Sequence, residues 1–233
     1  MLVVNGDSFV HEFHLPEEHR WSNLINADMN LAFGGGSNDR LFYTTVECLN
    51  NYDVKILILG WTTWVRSFFN KSNGSRYRLC GDSAMDETGD WEDAEYVAKF
   101  YLSKVFNEFT QFKNMLTYML HIQKYCKLKK IKLVNFATMF DESCLTQNNL
   151  LDLAKKGLLD RTNRELEQAS IKQHQDTLTK CISNLDQNTW VNKKLFHSIQ
   201  ESLSDSQRFD SVGHFGSHGA KKWAEIIQNH IDQ

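Results

Sequence analysis

A serine closing a short apolar run and a histidine just ahead of the last amphipathic stretch are the residues of this sequence best suited to chemistry. The run Leu2-Val3-Val4 stops at Gly6-Asp7-Ser8. A serine hydroxyl becomes a nucleophile when a base lies within hydrogen-bond reach and a third group fixes the tautomer of that base. His214 and Asp210, in FDSVGHFGSHGAKKWAEII, have the types required, whereas His218 reads as a lone surface histidine. Glycine lets the chain turn sharply enough to present the serine. The same tripeptide returns at residues 81–83 in an acidic stretch with no apolar run before it, and there it reads as chance. By itself the string also describes a turn that hydrogen-bonds its own backbone.

NLAFGGGSNDR, residues 30–40, brings a second set of groups. Glycines between a strand and a helix let backbone N–H groups approach a reacting oxygen, and the following helix adds positive potential. A phosphate loop fits poorly, because no Lys-Ser/Thr follows the glycines and the run does not match GxGxxG. After the third apolar run come Trp61, Trp64, Arg66, Phe68 and Phe69. Aromatic faces stack on sugar rings and Arg66 can bind a carboxylate or phosphate, but core packing is the favoured role for most of these residues, which leaves Trp61 and Arg66 as weak substrate-binding candidates. His11 and His14 lie three apart without an evident third ligand, so no metal is expected. The acidic residues Asp82 to Glu95 lack the order of a calcium loop, and Lys124 to Lys132 cluster where a helix should end.

These residues need elements to hold them. Apolar runs at 2–4, 29–33, 54–60 and 131–137 read as strands, the last two with the few polar interruptions of strands buried on both faces. TWV at 189–191 is the choice for a fifth strand. Residues 91–130 read as one or two long helices, with Val97, Phe100, Tyr101, Val105, Phe109, Phe112, Leu116 and Met119 at helical spacing. The last helix places Ala220, Trp223, Ala224 and Ile227 on one face. The expected class is α/β, with a central parallel sheet covered by helices on each side. Chemistry then gathers where loops leave the carboxyl ends of the strands.

Composition bounds the partners. The chain has 233 residues without a linker-like stretch, so residues 1–233 read as one domain with a helical insertion at about 67–128. A formal charge of −3 argues against nucleic acid as a main partner. Five widely spaced cysteines without a CxxC pair predict free thiols in a reducing compartment. No apolar stretch approaches membrane-spanning length and no signal peptide is evident, so a cytoplasmic protein without a membrane partner is expected. Without an export signal, the sequon Asn73-Gly74-Ser75 reads as a turn.

Taken together, GDSF at 6–9, NLAFGG at 30–35 and HFGSHGAKKWA at 214–224 resemble the blocks of the SGNH/GDSL hydrolase family, most closely its compact bacteriophage-encoded members. The resemblance covers the first 60 residues and the last 25 or so. It implies a three-layer α/β/α, flavodoxin-like fold and an esterase or acetylhydrolase that needs no cofactor. Ser8 would be the nucleophile, His214 the base, Asp210 its partner, and the Gly35 N–H an oxyanion donor. A small-molecule or glycan ester, such as an O-acetylated carbohydrate, would be the substrate.

Two positions depart from the pattern. Where the family places Gly-x-Asn-Asp, this chain reads Gly60-Trp61-Thr62-Thr63, and the matching string Gly36-Ser37-Asn38-Asp39 comes one strand early. Asn38, ranked slightly ahead of Thr62, is the expected third oxyanion donor. Asp210 stands four residues before His214 instead of three, with Ser211 in the usual place. The alternative reading is a catalytically weak binding or virion-associated module; a flavodoxin-like nucleotide binder would need ordered phosphate at Gly34 to Gly36.

Overall fold

The computed structural model describes residues 1–64, 66–70, 76–80, 83–86, 96, 100–101, 105–138, 151–152, 164–203, 214 and 216–233. Four parallel strands form the central sheet: β1 (Leu2–Asn5), β2 (Met29–Asn30), β3 (Ile56–Trp61) and β7 (Lys132–Ala137), in the order β2-β1-β3-β7. Val3 pairs with Leu57, and Leu57 with Leu133, so the three longer strands run in register across the middle.

Side chains alternate across a sheet, so each strand supplies both faces. Val3, Leu57, Leu59 and Leu133 point into one core with α3 (Asn38–Asn51), α4 (Glu108–Lys129) and α5 (Arg164–Ser183). Val4, Ile58, Val134 and Phe136 point into the other, with α1 (Ser8–His11), α2 (Trp21–Leu24), α6 (Ile199–Ser202) and α7 (Ser217–Asp232). This is the expected three-layer α/β/α arrangement. Along α7, Ala220, Trp223, Ala224 and Ile227 are buried, as their spacing predicts.

At the place of a fifth strand the chain makes single parallel bridges, Asn135 to Trp190 and Ala137 to Ser198. Trp190 sits between two short 3-10 turns, Gln187–Thr189 and Val191–Lys193, so TWV touches the sheet at one residue instead of adding a strand.

The insertion between β3 and β7 is not all helix. It begins with a small antiparallel sheet, β4 (Ser67–Asn70), β5 (Arg76–Cys80) and β6 (Ser83–Asp86), in which Ser83 of the second Gly-Asp-Ser opens a strand. Helix α4 follows, capped by the Asn107 side chain on the Thr110 N–H, with Phe109, Phe112, Leu116 and Met119 buried as expected. Val105 and Phe100 are exposed, while Tyr101 is buried. Val97, much of the stretch from 91 to 104 and the sequon lie outside the described residues. Among the described residues, Cys48, Cys126 and Cys181 are free thiols, and no helix is long and apolar enough to cross a membrane.

Candidate active site

The carboxyl end of β1 is fastened before the chain turns. Asn5 is buried, its Oδ1 accepts the Gly6 N–H at 2.8 Å, and its Nδ2 donates to the Leu41 carbonyl and to the Thr44 and Thr45 hydroxyls of α3. Gly6 then passes so close to its neighbours that a Cβ there would lie 2.4 Å from Val10 Cγ2 and 2.9 Å from the Gly60 carbonyl oxygen. Asp7 caps α1, its Oδ1 accepting the Phe9 N–H at 3.0 Å, and Ser8 is the first helical residue, 6% exposed.

The Asp7 carboxylate is fully buried and joins three strand ends. Its Oδ2 accepts from Arg66 Nη1 and from the Thr138 hydroxyl, each at 2.9 Å. Arg66 follows β3 and Thr138 follows β7. Arg66 therefore spends its charge on an internal carboxylate, which corrects the expectation that it meets a carboxylate or phosphate of the substrate. Trp61 takes the core-packing role favoured for these aromatics instead of the sugar-stacking one: it is fully buried in the core and its indole N–H donates to Asn135 Oδ1 at 2.9 Å. Sequence alone gave no sign of the Asp7 network, because its partners lie 59 and 131 residues away.

The glycine loop lies against this turn. The Phe33 N–H donates to the Gly6 carbonyl at 3.2 Å, and the Gly36 N–H closes a turn onto the Phe33 carbonyl at 2.9 Å. Gly35 has φ 71°, a conformation that glycine adopts without strain. Ser37 caps α3, and Asn38 in its first turn is buried.

Asn38 and Thr62, expected as competing donors, are bonded to each other. The Thr62 N–H donates to Asn38 Oδ1 at 3.0 Å, and Asn38 Nδ2 donates to the Thr62 carbonyl at 2.8 Å. Asn38, in the first turn of α3, thus reaches across to hold the backbone of the residue after β3. Thr62 is 2% exposed, and its Oγ1 has no hydrogen-bond partner among the described residues.

His214 comes to the same end of the sheet. Its ring centroid lies 4.9 Å from Phe9, the residue after Ser8, 5.1 Å from His14 and 6.4 Å from Phe13. Phe13 is 59% exposed, with His11 and His14 also beside it. Asp210 lies outside the described residues.

Glu12, which closes α1 with φ 48°, was not anticipated. Its Oε2 accepts the Trp21 N–H at 2.6 Å, and its Oε1 is buried without a partner among the described residues. Burial raises its pKa from 4.5 to about 8, outweighing that hydrogen bond and the nearby Arg20 charge. A carboxyl raised in the folded state stabilises the fold fully below its unfolded value and loses that contribution as pH rises through its folded value. Between pH 4.5 and about 8 the burial of Glu12 therefore costs progressively more, at most about 1.4 kcal/mol per pH unit. Glu12→Gln is expected to melt above wild type by a margin that widens from about pH 5 to about pH 8; a constant margin in thermal melts would contradict a neutral Glu12.

A serine and a histidine do meet away from this turn. Ser202 Oγ lies 2.5 Å from His197 Nε2, and His197 Nδ1 lies 3.6 Å from Glu201 Oε2. Asn192 also contacts that Nε2, and Ser198 and Glu201 form the capping box of α6. This cluster closes the short helix and has no glycine turn of the kind that presents Ser8.

No family model matches the chain, and no curated protein matches it. Solved structures do. The crystal structure of TesA superposes with a TM-score of 0.51 at 8% identity, over 99% of this chain and 97% of that one. A GDSL-like lipase from Bacteroides thetaiotaomicron gives 0.49 at 10% identity, over 99% and 87%. The acetyl xylan esterase AlAXEase gives 0.47 at 10% identity, over 99% and 100%. The likeness to TesA, at that identity, shows a shared fold.

Proposed function

We propose that this chain is a serine ester hydrolase of the SGNH/GDSL type, with Ser8 as nucleophile and His214 as general base. The observation that carries the reading is the convergence at one end of a parallel sheet: Ser8 on its buried turn, the glycine loop against that turn, the Asn38–Thr62 pair, and His214 against Phe9. Ser8 attacks the acyl carbonyl while His214 takes its proton and then passes that proton to the leaving alcohol; water repeats the sequence to release the acid. Asp210 is the proposed partner of His214.

The oxyanion is held by the Ser8 and Gly35 N–H groups and by the Thr62 hydroxyl. Thr62 is preferred to Asn38 as the third donor because the Asn38 amide is engaged with the Thr62 backbone while the Thr62 hydroxyl is buried and uncommitted. Asn38 then acts by positioning Thr62. The proposed substrate is an acyl ester of a carbohydrate, such as an O-acetyl sugar, because the exposed Phe13 ring beside His214 offers a face on which a sugar can stack.

Hydrolysis of p-nitrophenyl acetate by the purified protein tests the reading. Wild type is expected to turn over, and Thr62→Val, which keeps the shape and removes the donor, is expected to lose ~10²-fold in kcat with KM little changed. Hydrolysis by wild type no faster than by His214→Ala would refute the esterase.

A further inference from the structure

We infer that Arg66 is a positioning residue for Ser8, coupling the insertion after β3 to the nucleophile turn; this rests on the esterase reading. The Asp7 carboxylate has no access to solvent. Asp7 is 1% exposed and its side chain 0%, and a buried carboxylate stays charged when a cation and hydrogen bonds compensate it. Its contacts are the Phe9 N–H, the Thr138 hydroxyl and Arg66 Nη1.

Among the described residues, Arg66 is the cation in contact with Asp7. Thr138 cannot replace it. A hydroxyl has one proton, and Thr138 Oγ1 also lies 3.1 Å from the Trp61 carbonyl.

What Asp7 holds is the start of α1. Its Oδ1 fixes the Phe9 N–H, and Ser8 sits between the two residues so joined. Without Arg66, the buried Asp7 carboxylate loses its ion partner and turns toward water, which loosens the cap that sets the direction of the Ser8 hydroxyl. The substrate itself has no contact to lose, since Arg66 is turned inward with its side chain 12% exposed.

The position of Arg66 in the chain gives the contact a further consequence. The Arg66 N–H bonds back to the Thr63 carbonyl at 3.3 Å, and Asn38 holds Thr62 just upstream. Downstream, Ser67 opens β4 and its hydroxyl donates to Asp39 Oδ2, whose Oδ1 accepts from the Tyr118 hydroxyl of α4. The loop carrying Thr62 and the first strand of the insertion are therefore registered against Ser8 through one ion pair. Arg66 sets the geometry between nucleophile and oxyanion donor, which acts on kcat.

The test uses p-nitrophenyl acetate with wild type, Ser8→Ala, Arg66→Met, Arg66→Lys and Arg66→Ala. Arg66→Met is expected to lose ~10²-fold in kcat with KM changed less than about twofold, as for a nucleophile misplaced by about 1 Å. Arg66→Lys is expected to recover part of that loss. Free guanidinium chloride at low millimolar concentration is expected to raise kcat of Arg66→Ala, while sodium chloride at equal ionic strength does not. A purely structural role would show a lowered melting temperature without rescue by guanidinium. Should Arg66→Met fail to fold, Arg66→Lys at an unchanged melting temperature carries the same comparison. Full kcat in Arg66→Met, or a loss confined to KM, overturns the positioning role alone. Equal background rates in wild type and Ser8→Ala overturn the esterase reading and this role with it.

Discussion

Ser8→Ala is expected to lower p-nitrophenyl acetate hydrolysis by at least ~10³-fold in kcat, leaving the melting temperature close to that of wild type. The magnitude follows from the division of labour in such sites. Removal of the nucleophile abolishes the acyl-enzyme route, and what survives is whatever the oxyanion donors and binding achieve with water as the attacking group. The fold should tolerate the change, because Ser8 contributes its backbone carbonyl to the Glu12 N–H and the cap of α1 comes from Asp7. A variant retaining a tenth or more of the rate would place the chemistry elsewhere.

Gly6→Ala should be the most damaging single methyl in the region. The new Cβ would meet Val10 Cγ2 at 2.4 Å and the Gly60 carbonyl oxygen at 2.9 Å. The valine is fully buried against the same core as Val4 and Ile58, so it has little room to rotate away. Gly60 belongs to β3 and pairs with Phe136 of β7, one residue beyond Leu59, which pairs with Asn5 of β1, so its backbone has little room to retreat. Overpacking of this kind costs about 1–3 kcal/mol, which in a domain of this size corresponds to a melting temperature lower by about 2–12 °C. Hydrolysis should fall with it, since the chain can relieve the contact by moving the Ser8 turn. A melt within about 1 °C of wild type would contradict the close approach of β1 and β3 at this point.

The layers of the fold were legible where burial on both faces leaves a continuous apolar run. VKILILG and IKLVNFA became β3 and β7, and the face of α7 was readable because Ala220, Trp223, Ala224 and Ile227 follow the helical period. The small sheet of the insertion was not, because RYRLC and SAMD carry no clear alternation and their pairing is set by tertiary context. TWV has the composition of a strand, yet left-handed backbone at Asn192 and Lys193 turns the chain away from the sheet after one bridge.

The candidate site divides along the same line. Ser8, the glycine loop and His214 follow from residue type placed at an element boundary, which sequence displays directly. The alliances between side chains do not. Arg66 was expected to face substrate, as an arginine near a strand end can, but the buried Asp7 claims it. Asn38 and Thr62 looked like rivals for one role, and the two hydrogen bonds between the Asn38 side-chain amide and the Thr62 backbone, across 24 residues, make them a unit. Trp61 follows the third apolar run like a ligand-stacking residue, and Asn135 on the neighbouring strand shows why it points inward.

Covalent labelling with a fluorophosphonate, followed by peptide mass spectrometry of the intact wild-type protein, tests the central claim most directly. The reagent phosphonylates a serine activated by a neighbouring base and oxyanion donors. The account predicts one adduct, on Ser8, formed much more slowly in His214→Ala and at most slowly in Thr62→Val. An adduct on Ser202, whose hydroxyl lies 2.5 Å from His197 Nε2, or no serine adduct at all while the protein remains folded, would contradict it.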